Sequence, residues 1–223
     1  AAYAGPGVGS ALTLRLRAAG LPVAIAARHI EGLAPLVEET GALAFAADAT
    51  EPGEVERLFA AVDARIGPPE IVVYNASNWV HGPIAELDPV RVGQVVAVSA
   101  LGAFYAVQQA ARRMLPAGRG AILLTGATAG IKGFALSAPF AMGKFALRGL
   151  AQSAARELAP QGIHVVHLVI DGGVRVEHQD DPPEQPDSTL DPEAIAQTYA
   201  DLLRQHRSAW SWEIEVRPWT EKF

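Results

Sequence analysis

The 223-residue chain is half hydrophobic and has a formal charge of −6 at neutral pH. This composition is typical of a globular protein with a substantial core, and the acidic balance without a strong basic cluster argues against a nucleic-acid partner. No cysteine is present, so disulfides and thiolate metal sites are excluded, which is compatible with a cytoplasmic protein.

Short apolar segments alternate with segments of helical periodicity along the chain. In the first half we predict a strand at Ala1–Tyr3, a turn at Ala4–Gly9, a helix to about Ala19, a strand at Pro22–Ala27, a helix at Gly32–Glu39, a strand at Ala42–Ala46, a helix at Pro52–Ile66, a strand at Glu70–Tyr74 and a helix at Pro89–Leu115. In the second half we predict a strand at Ile122–Leu124, a helix at Pro139–Leu158, a strand at Ile163–Ile170, a mobile proline-rich loop at Gly173–Leu190, a helix capped by Asp191 that runs from Pro192 to about His206, and a strand at Trp212–Val216.

This alternation predicts an α/β fold whose strands are parallel. Right-handed crossovers then place helices on both faces of a doubly wound, Rossmann-like sheet of about seven strands. No internal repeat or linker divides residues 1–223, so we expect a single domain.

One helical segment raises the question of a membrane, since Val92–Ala111 contains no charged residue. Glutamines and a serine interrupt the segment, and arginines flank it, so we predict a helix buried against the sheet and a second subunit. No signal peptide is visible. Because Ala1–Tyr3 resembles the end of a strand and no methionine precedes it, we expect further residues upstream.

The turn between the first strand and the first helix is rich in glycine. Gly5, Gly7 and Gly9 allow the backbone to approach a pyrophosphate, whose charge the helix N-terminus favours. A glycine-rich turn alone is also an ordinary connection, but its place in an alternating chain favours a nucleotide site. We therefore assign Gly5, Gly7, Val8 and Gly9 to cofactor binding.

The end of the second strand indicates which dinucleotide is bound. An acid is usual there when the ribose has a free 2′-hydroxyl, but this chain has Ala27, followed by Arg28 and His29. Arginine matches a 2′-phosphate in charge and geometry, which favours NADP(H) over NAD(H). The alternative is that Arg28 is a solvated surface residue.

The stretch Ala121–Gly149 combines a buried strand, a glycine-containing loop and a helix on which Phe140 and Lys144 share one face. It resembles the catalytic stretch of the short-chain dehydrogenase/reductase family, in which most members have a serine, a tyrosine thirteen residues later and a lysine four residues after that. Lys144 matches the lysine, whereas Phe140 stands at the tyrosine position and Ala127 at the serine position. The helix asparagine of the family corresponds to Ser99.

The same resemblance suggests further cofactor contacts. Asp48 is similar to the family aspartate beside the adenine, and Asn75 begins a turn similar to the family's Asn-Ala-Gly. After the sixth strand Gly172 keeps the tight turn, with Asp171 in place of proline. The resemblance assigns cofactor contacts to Asp48, Asn75, Lys144, Gly172 and Val174. Asp48 also fits a loop or helix cap, and Asn75 a role in joining strands. Tyr3 replaces the family's first glycine, and Val176 stands at the position of a cofactor-contacting threonine.

The resemblance implies an NADP(H)-dependent oxidoreductase that acts on an apolar carbonyl or alcohol. Because Phe140 and Ala127 carry no hydroxyl, the reaction needs another proton donor. The candidates are His81, Ser99, Thr128 and Ser137, each of which also fits loop or capping duty. The alternative function is a dinucleotide-binding or regulatory protein that has lost the chemistry.

The expected partners are a small substrate and further copies of the chain. The proline-rich loop and the residues Trp210, Trp212, Trp219 and Phe223 are expected to shape the substrate pocket. The helices that contain Ser99 and Lys144 are expected to form a homodimer or homotetramer. His164 and His167, three apart in a strand, point to opposite faces and predict no metal site.

Overall fold

A computed structural model describes residues 2–3, 7–175, 181–182 and 184–221, and for residues 2–3 the backbone alone. Its strands form one parallel, seven-stranded sheet in the order β3-β2-β1-β4-β5-β6-β7. The strands are β1 Ala2–Tyr3, β2 Ala24–Ala27, β3 Leu43–Ala46, β4 Ile71–Tyr74, β5 Gly120–Thr125, β6 Ile163–Ile170 and β7 Glu213–Val216. The predicted doubly wound α/β fold is confirmed.

Helices cover both faces of this sheet. They are α1 Val8–Ala18, α2 Ala34–Thr40, α3 Pro52–Ile66, α4 Pro89–Val96, α5 Ala103–Met114, α6 Ala138–Leu158 and α7 Pro192–Leu203. On one face α3, α5 and α6 bury residues such as Phe59 and Leu147, and on the other α1 and α7 bury residues such as Leu12 and Tyr199. Strands covered on both faces are buried throughout, as β6 shows, and apart from His164 and His167 its residues are apolar.

The predicted long helix at Pro89–Leu115 is present as a continuous helical run, but it is not α-helical throughout. A π-helical segment, Ala97–Gly102, joins α4 to α5. Its Ser99 is fully buried against Gly143 of α6, where an added Cβ would come within 2.7 Å of the Ser99 Cβ. The hydroxyl of Tyr74 donates a hydrogen bond to the carbonyl of Val98. The wider π turn frees such carbonyls, and periodicity alone cannot distinguish it from an α-helix.

The helical run Pro89–Ala117 is, among the described residues, the one helix long and apolar enough to cross a membrane. A third (33%) of its most apolar stretch is buried, and the run packs against α6 and β4. Core helices of soluble proteins have the same length and composition, and this contact with the sheet fits a core helix.

One helix boundary and one loop also differ in detail from the prediction. The helix capped by Asp191 ends at Leu203 rather than near His206, although the cap itself is present, since Asp191 accepts a hydrogen bond from the backbone N–H of Glu193 at 2.8 Å. In the proline-rich loop, Val174 pairs with Leu190. Gly5, Val176 and Phe223 lie outside the described residues.

Because every strand is parallel, the loops that follow their carboxyl ends meet at one edge of the sheet. The loops after β2, β3, β4, β5 and β6 begin near Arg28, Asp48, Asn75, Ala127 and Asp171. These five residues thereby lie along a single crevice.

Candidate functional site

A cavity of about 370 Å³, here called the Arg28 cavity, lies over the ends of β2, β3 and β4. Arg28, His29, Asp48 and Asn75 all line it, so the fold brings together four predicted cofactor residues from three different loops. Arg28 and His29 are exposed, which leaves their polar groups available to a ligand.

Asp48 is held in this cavity by its own turn. Its carboxylate accepts hydrogen bonds from the backbone N–H and the hydroxyl of Thr50 at 2.8 and 2.7 Å, while its backbone N–H donates to Glu54 at 2.8 Å. Burial would raise the pKa of Asp48, but the Thr50 hydrogen bonds and the charge of Arg28 outweigh it and lower the pKa. Asp48 is therefore a fixed anion beside Arg28.

The glycine turn ends at Gly7, which has a φ of 105° and precedes α1 without a side-chain capping bond. Glycine tolerates this backbone conformation, and a Cβ added there would meet nothing within 4 Å. Val8 and Gly9 form the buried first turn of α1. The uncapped N–H groups of such a helix end favour an anionic ligand.

A second cavity of about 510 Å³, here called the Lys144 cavity, lies beyond the ends of β5 and β6. Residues that line it include Trp79, Gly126, Ala127, Thr128, Phe134, Ser137, Phe140, Lys144, Asp171, Gly172 and Val174. The structure thus brings Ala127, Phe140 and Lys144 together. Ser99 and His81 are not among the lining residues: Ser99 is buried beneath Gly143, and His81 is exposed, its ring 5.3 Å from that of Trp79.

Lys144 is the chemically distinctive group of this cavity, since only 3% of its surface is exposed. Its Nζ donates a hydrogen bond to the carbonyl of Thr125 at 2.9 Å and lies 5.6 Å from the centroid of the Phe140 ring. Burial disfavours the charged amine and lowers the pKa of Lys144 from 10.5 to about 8.

Two nearby carboxylates are paired with other groups, whereas a third, Glu221, lines the cavity and is exposed. Glu213 accepts two hydrogen bonds of 2.7 Å from Arg148 and lies 3.0 Å from Nδ1 of His167. Asp171 accepts a hydrogen bond from the hydroxyl of Thr128 and lies 3.4 Å from Arg217. In the part of the chain that the structure describes, no carboxylate forms an ion pair with Lys144.

Comparison with known proteins accounts for this arrangement, because the sequence profile of the short chain dehydrogenases matches residues 4–186. The chain belongs to the short-chain dehydrogenase/reductase (SDR) family. A sorbitol dehydrogenase of Cereibacter sphaeroides is 32% identical over 177 residues, which are 78% of this chain and 69% of that protein.

Solved SDR structures have the same fold over nearly the whole chain. A short-chain dehydrogenase from Rhodopseudomonas palustris is 36% identical, with a TM-score of 0.82 over 95% of this chain and 93% of the other. A metagenomic short-chain oxidoreductase in complex with NADP is 26% identical, with a TM-score of 0.84 over 97% and 95% of the two chains.

Within this SDR fold, no tyrosine among the described side chains lines the Lys144 cavity. Tyr199 packs with α1 and α7 on the opposite face of the sheet, where its hydroxyl forms a 2.6 Å hydrogen bond with the Thr125 hydroxyl. Burial raises the pKa of Tyr199. The phenol missing at Phe140 is not replaced by Tyr199.

The prediction that Trp210 and Trp212 shape the substrate pocket is wrong. Because β7 is parallel to the other strands, the residues before it lie at the amino edge of the sheet, far from the crevice. Trp210 stacks on His164 with ring centroids 4.6 Å apart, and both tryptophans line a separate cavity. Trp219 is 79% exposed and is not among the lining residues of the Lys144 cavity.

Several residues of this SDR site escaped sequence reasoning. Trp79 and Phe134 form apolar walls but lie in loops without a periodic pattern. The His167 ring lies beneath the cavity floor, where a Cβ on Gly126 would come within 2.2 Å of its Nε2. The one sequence signal for this residue was a histidine inside an otherwise apolar strand. The ion pair between Glu213 and Arg148 had no such signal, because it joins residues far apart in sequence.

Proposed function

We propose that this SDR is an NADP(H)-dependent oxidoreductase that acts on a small apolar carbonyl or alcohol, with Lys144 as its non-standard proton donor. The observation that carries this proposal is the position of the Lys144 ammonium: it lines the same cavity as Phe140 and Ala127 and has no carboxylate partner among the described residues.

The Arg28 cavity and the glycine turn fit the dinucleotide. Gly7 and the first turn of α1 would hold the pyrophosphate, and Asp48 and Asn75 would border the adenine nucleoside. Arg28 at the end of β2, with no acid beside it, supports a 2′-phosphate. The NADP bound to the metagenomic relative is consistent with this preference. When bound, the cofactor supplies or accepts a hydride.

Reduction of a carbonyl leaves negative charge on its oxygen, which needs a proton and hydrogen-bond donors. The Lys144 ammonium has three N–H groups, of which one is donated to the Thr125 carbonyl. An acid with a pKa of about 8 is protonated at neutral pH and can still release its proton. In alcohol oxidation the neutral amine would accept the proton instead.

The walls of the Lys144 cavity favour an apolar substrate. Trp79, Phe134 and Phe140 provide aromatic surface, and the cavity volume of about 510 Å³ is within the usual range for small-molecule sites. The hydroxyl of Thr128 is engaged by Asp171, whereas the Lys144 ammonium has two further N–H groups for the carbonyl oxygen.

Exposed apolar side chains support assembly into a homodimer or homotetramer. Leu101 and Phe104 follow one another along the π segment and α5, while Met142 and Phe145 project from α6, all at least 44% exposed. The π segment and α6 pack against each other, so these residues belong to adjoining elements that a second copy can cover.

The direct test is an NADPH fluorescence titration followed by a turnover screen with simple aldehydes and ketones. We expect tighter binding of NADPH than of NADH, and a turnover loss of about 10²–10⁴-fold in Lys144→Met. Arg156→Met removes an exposed cation from the same helix and serves as the matched control. Loss of turnover in His81→Ala but not in Lys144→Met would assign the proton donor to His81.

The second candidate function is a dinucleotide-binding or regulatory protein. The loss of both hydroxyls at Ala127 and Phe140 favours it. NADPH binding without turnover of any carbonyl in the wild-type protein would support this function and overturn the oxidoreductase.

A further inference from the structure

We propose that Lys144 is also an amine nucleophile, which in the cofactor-free protein condenses with apolar aldehydes in the Lys144 cavity to form an imine. This reaction needs neither a hydride nor a dinucleotide, so it goes beyond the proposed oxidoreductase function. The known contacts of Nζ are the Thr125 carbonyl at 2.9 Å and the Phe140 ring face at 5.6 Å.

The charged groups around Lys144 are largely paired with one another, and burial lowers the pKa of its amine. On β6 and β7, His167 and Glu213 form a hydrogen bond, and the Glu213 carboxylate is held by Arg148 of α6. Asp171, which follows β6, accepts a hydrogen bond from Thr128 and forms an ion pair with Arg217. β5 and the loop after it contribute the polar side chains of Thr125 and Thr128. Glu221 also lines the cavity and is exposed, and among the described residues no carboxylate forms an ion pair with Lys144.

Burial lowers the pKa of both basic groups at this end of the sheet, His167 and Lys144. Burial lowers the pKa of His167, and the charges of Lys144 and Arg148 lower it further, against the opposite influence of Glu213. Burial also lowers the pKa of Lys144 to about 8. At pH 8 about half of the Lys144 amine is then unprotonated, compared with about 0.3% for an amine of pKa 10.5. Desolvated lysines of this kind are the ones that form imines.

The cavity also provides a place for the aldehyde. Trp79, Phe134 and Phe140 line about 510 Å³ of space next to Nζ, which accommodates an aromatic aldehyde. In the reaction Nζ attacks the carbonyl carbon, a C=N bond replaces the C=O bond, and the oxygen leaves as water with the two amine hydrogens. No oxidant or reductant is consumed.

The test is reductive trapping of the cofactor-free protein with 6-methoxy-2-naphthaldehyde and cyanoborohydride at pH 8, followed by intact mass and peptide mapping. The chain has three lysines, Lys132, Lys144 and Lys222, so each site can be quantified separately and distinguished from the N-terminal amine. We expect Lys144 to be modified at least ten times faster than Lys132 or Lys222. Lys144→Arg keeps the charge without the nucleophile and should abolish the adduct at this position.

Faster modification of Lys132 than of Lys144, or an unchanged total adduct in Lys144→Arg that retains the wild-type circular dichroism spectrum, would overturn the inference. If Lys144→Arg does not fold, site mapping on the wild-type protein decides alone. Turnover with NADPH but no Lys144 adduct would refute the inference and leave the oxidoreductase intact. A Lys144 adduct without any turnover would support the inference and refute the oxidoreductase function.

Discussion

The Arg28 cavity and the Lys144 cavity lie along one crevice, yet they differ in the charge and burial of the groups that line them. The Arg28 cavity combines exposed charges with a glycine turn, and its Asp48 is held as an anion. The Lys144 cavity surrounds one buried amine with aromatic walls. The proposed dinucleotide binding and the proposed proton transfer are therefore assigned to separate cavities, and each cavity can be altered without the other.

The largest effect is expected from restoring the family hydroxyls in the Lys144 cavity. Ala127→Ser combined with Phe140→Tyr places a phenol within reach of Lys144, and the activity with ketones should rise by about 10²–10⁴-fold. Steady-state kinetics with saturating NADPH measures the gain, with Ala127→Ser alone as the partial control. No gain while NADPH remains bound would show that these positions do not correspond to the family serine and tyrosine.

The next effect concerns stability, because a buried amine is costly. The pKa of Lys144 is about 8 in the folded state and 10.5 in the unfolded state, so between these pH values the unfolded state binds more protons and stability rises with pH. Below pH 8 the cost is about 3 kcal/mol. Lys144→Met removes this cost but also removes the hydrogen bond to Thr125, which contributes about 1 kcal/mol. The substitution should therefore raise the free energy of unfolding at pH 7 by about 2 kcal/mol.

Urea unfolding at pH 7 and pH 10 measures this change, which should shrink at the higher pH. Lys132→Met is the matched control, since Lys132 is exposed and its replacement should alter stability by less than about 0.5 kcal/mol. A destabilised Lys144→Met at pH 7 would contradict the account of a costly buried amine.

In the Arg28 cavity we expect a smaller and cofactor-specific effect. Arg28→Ala should weaken NADPH binding by about 10–100-fold, since a hydrogen bond to a charged group contributes about 1.5–3 kcal/mol. NADH binding should change by only a few-fold. Fluorescence titration of both cofactors measures the difference, and Arg156→Ala is the control. An equal loss for both cofactors would exclude a contact with the 2′-phosphate.

The smallest effect is expected at the Asp48 turn. Thr50→Val keeps the side-chain shape but removes the 2.7 Å hydroxyl donor, so the protein should lose about 1 kcal/mol of stability at pH 7. The pKa of Asp48 is lowered by this contact, and the loss should disappear as the pH falls through that lowered pKa. Urea unfolding at pH 7 and pH 3 tests it; an equal loss at both values would mean that Asp48 is not the partner.

Periodicity and turn residues predicted the strands and helices. The crevice followed from them, because in a parallel sheet the loops after the carboxyl ends of the strands lie at one edge. Arg28 was assigned from its place at the end of the second strand, whereas Asp48 and Asn75 were assigned from the resemblance to the SDR family. The π-helical segment around Ser99 could not be predicted, since it depends on the close approach of Gly143 from another helix. The preference for NADP(H) remains a prediction.

The pairing of Glu213 with Arg148 and His167 also could not be predicted from the sequence. It depends on strand β7 lying beside β6 and facing α6, a tertiary arrangement with no local signature. The same holds for the burial of Lys144, since the sequence matches it to the family lysine and places it on one helix face with Phe140 but does not indicate how deeply it is buried. The most distinctive property of the site is therefore one that only the packed fold reveals.

The central claim is that Lys144 is a buried amine without a carboxylate partner. Its direct test is an NMR titration of the protein labelled with ¹³C,¹⁵N-lysine, in which three side chains give signals and Lys144→Arg assigns the relevant one. The account predicts a pKa of about 8 for Lys144. A value near 10.5, the ordinary value for a solvated lysine, would contradict it.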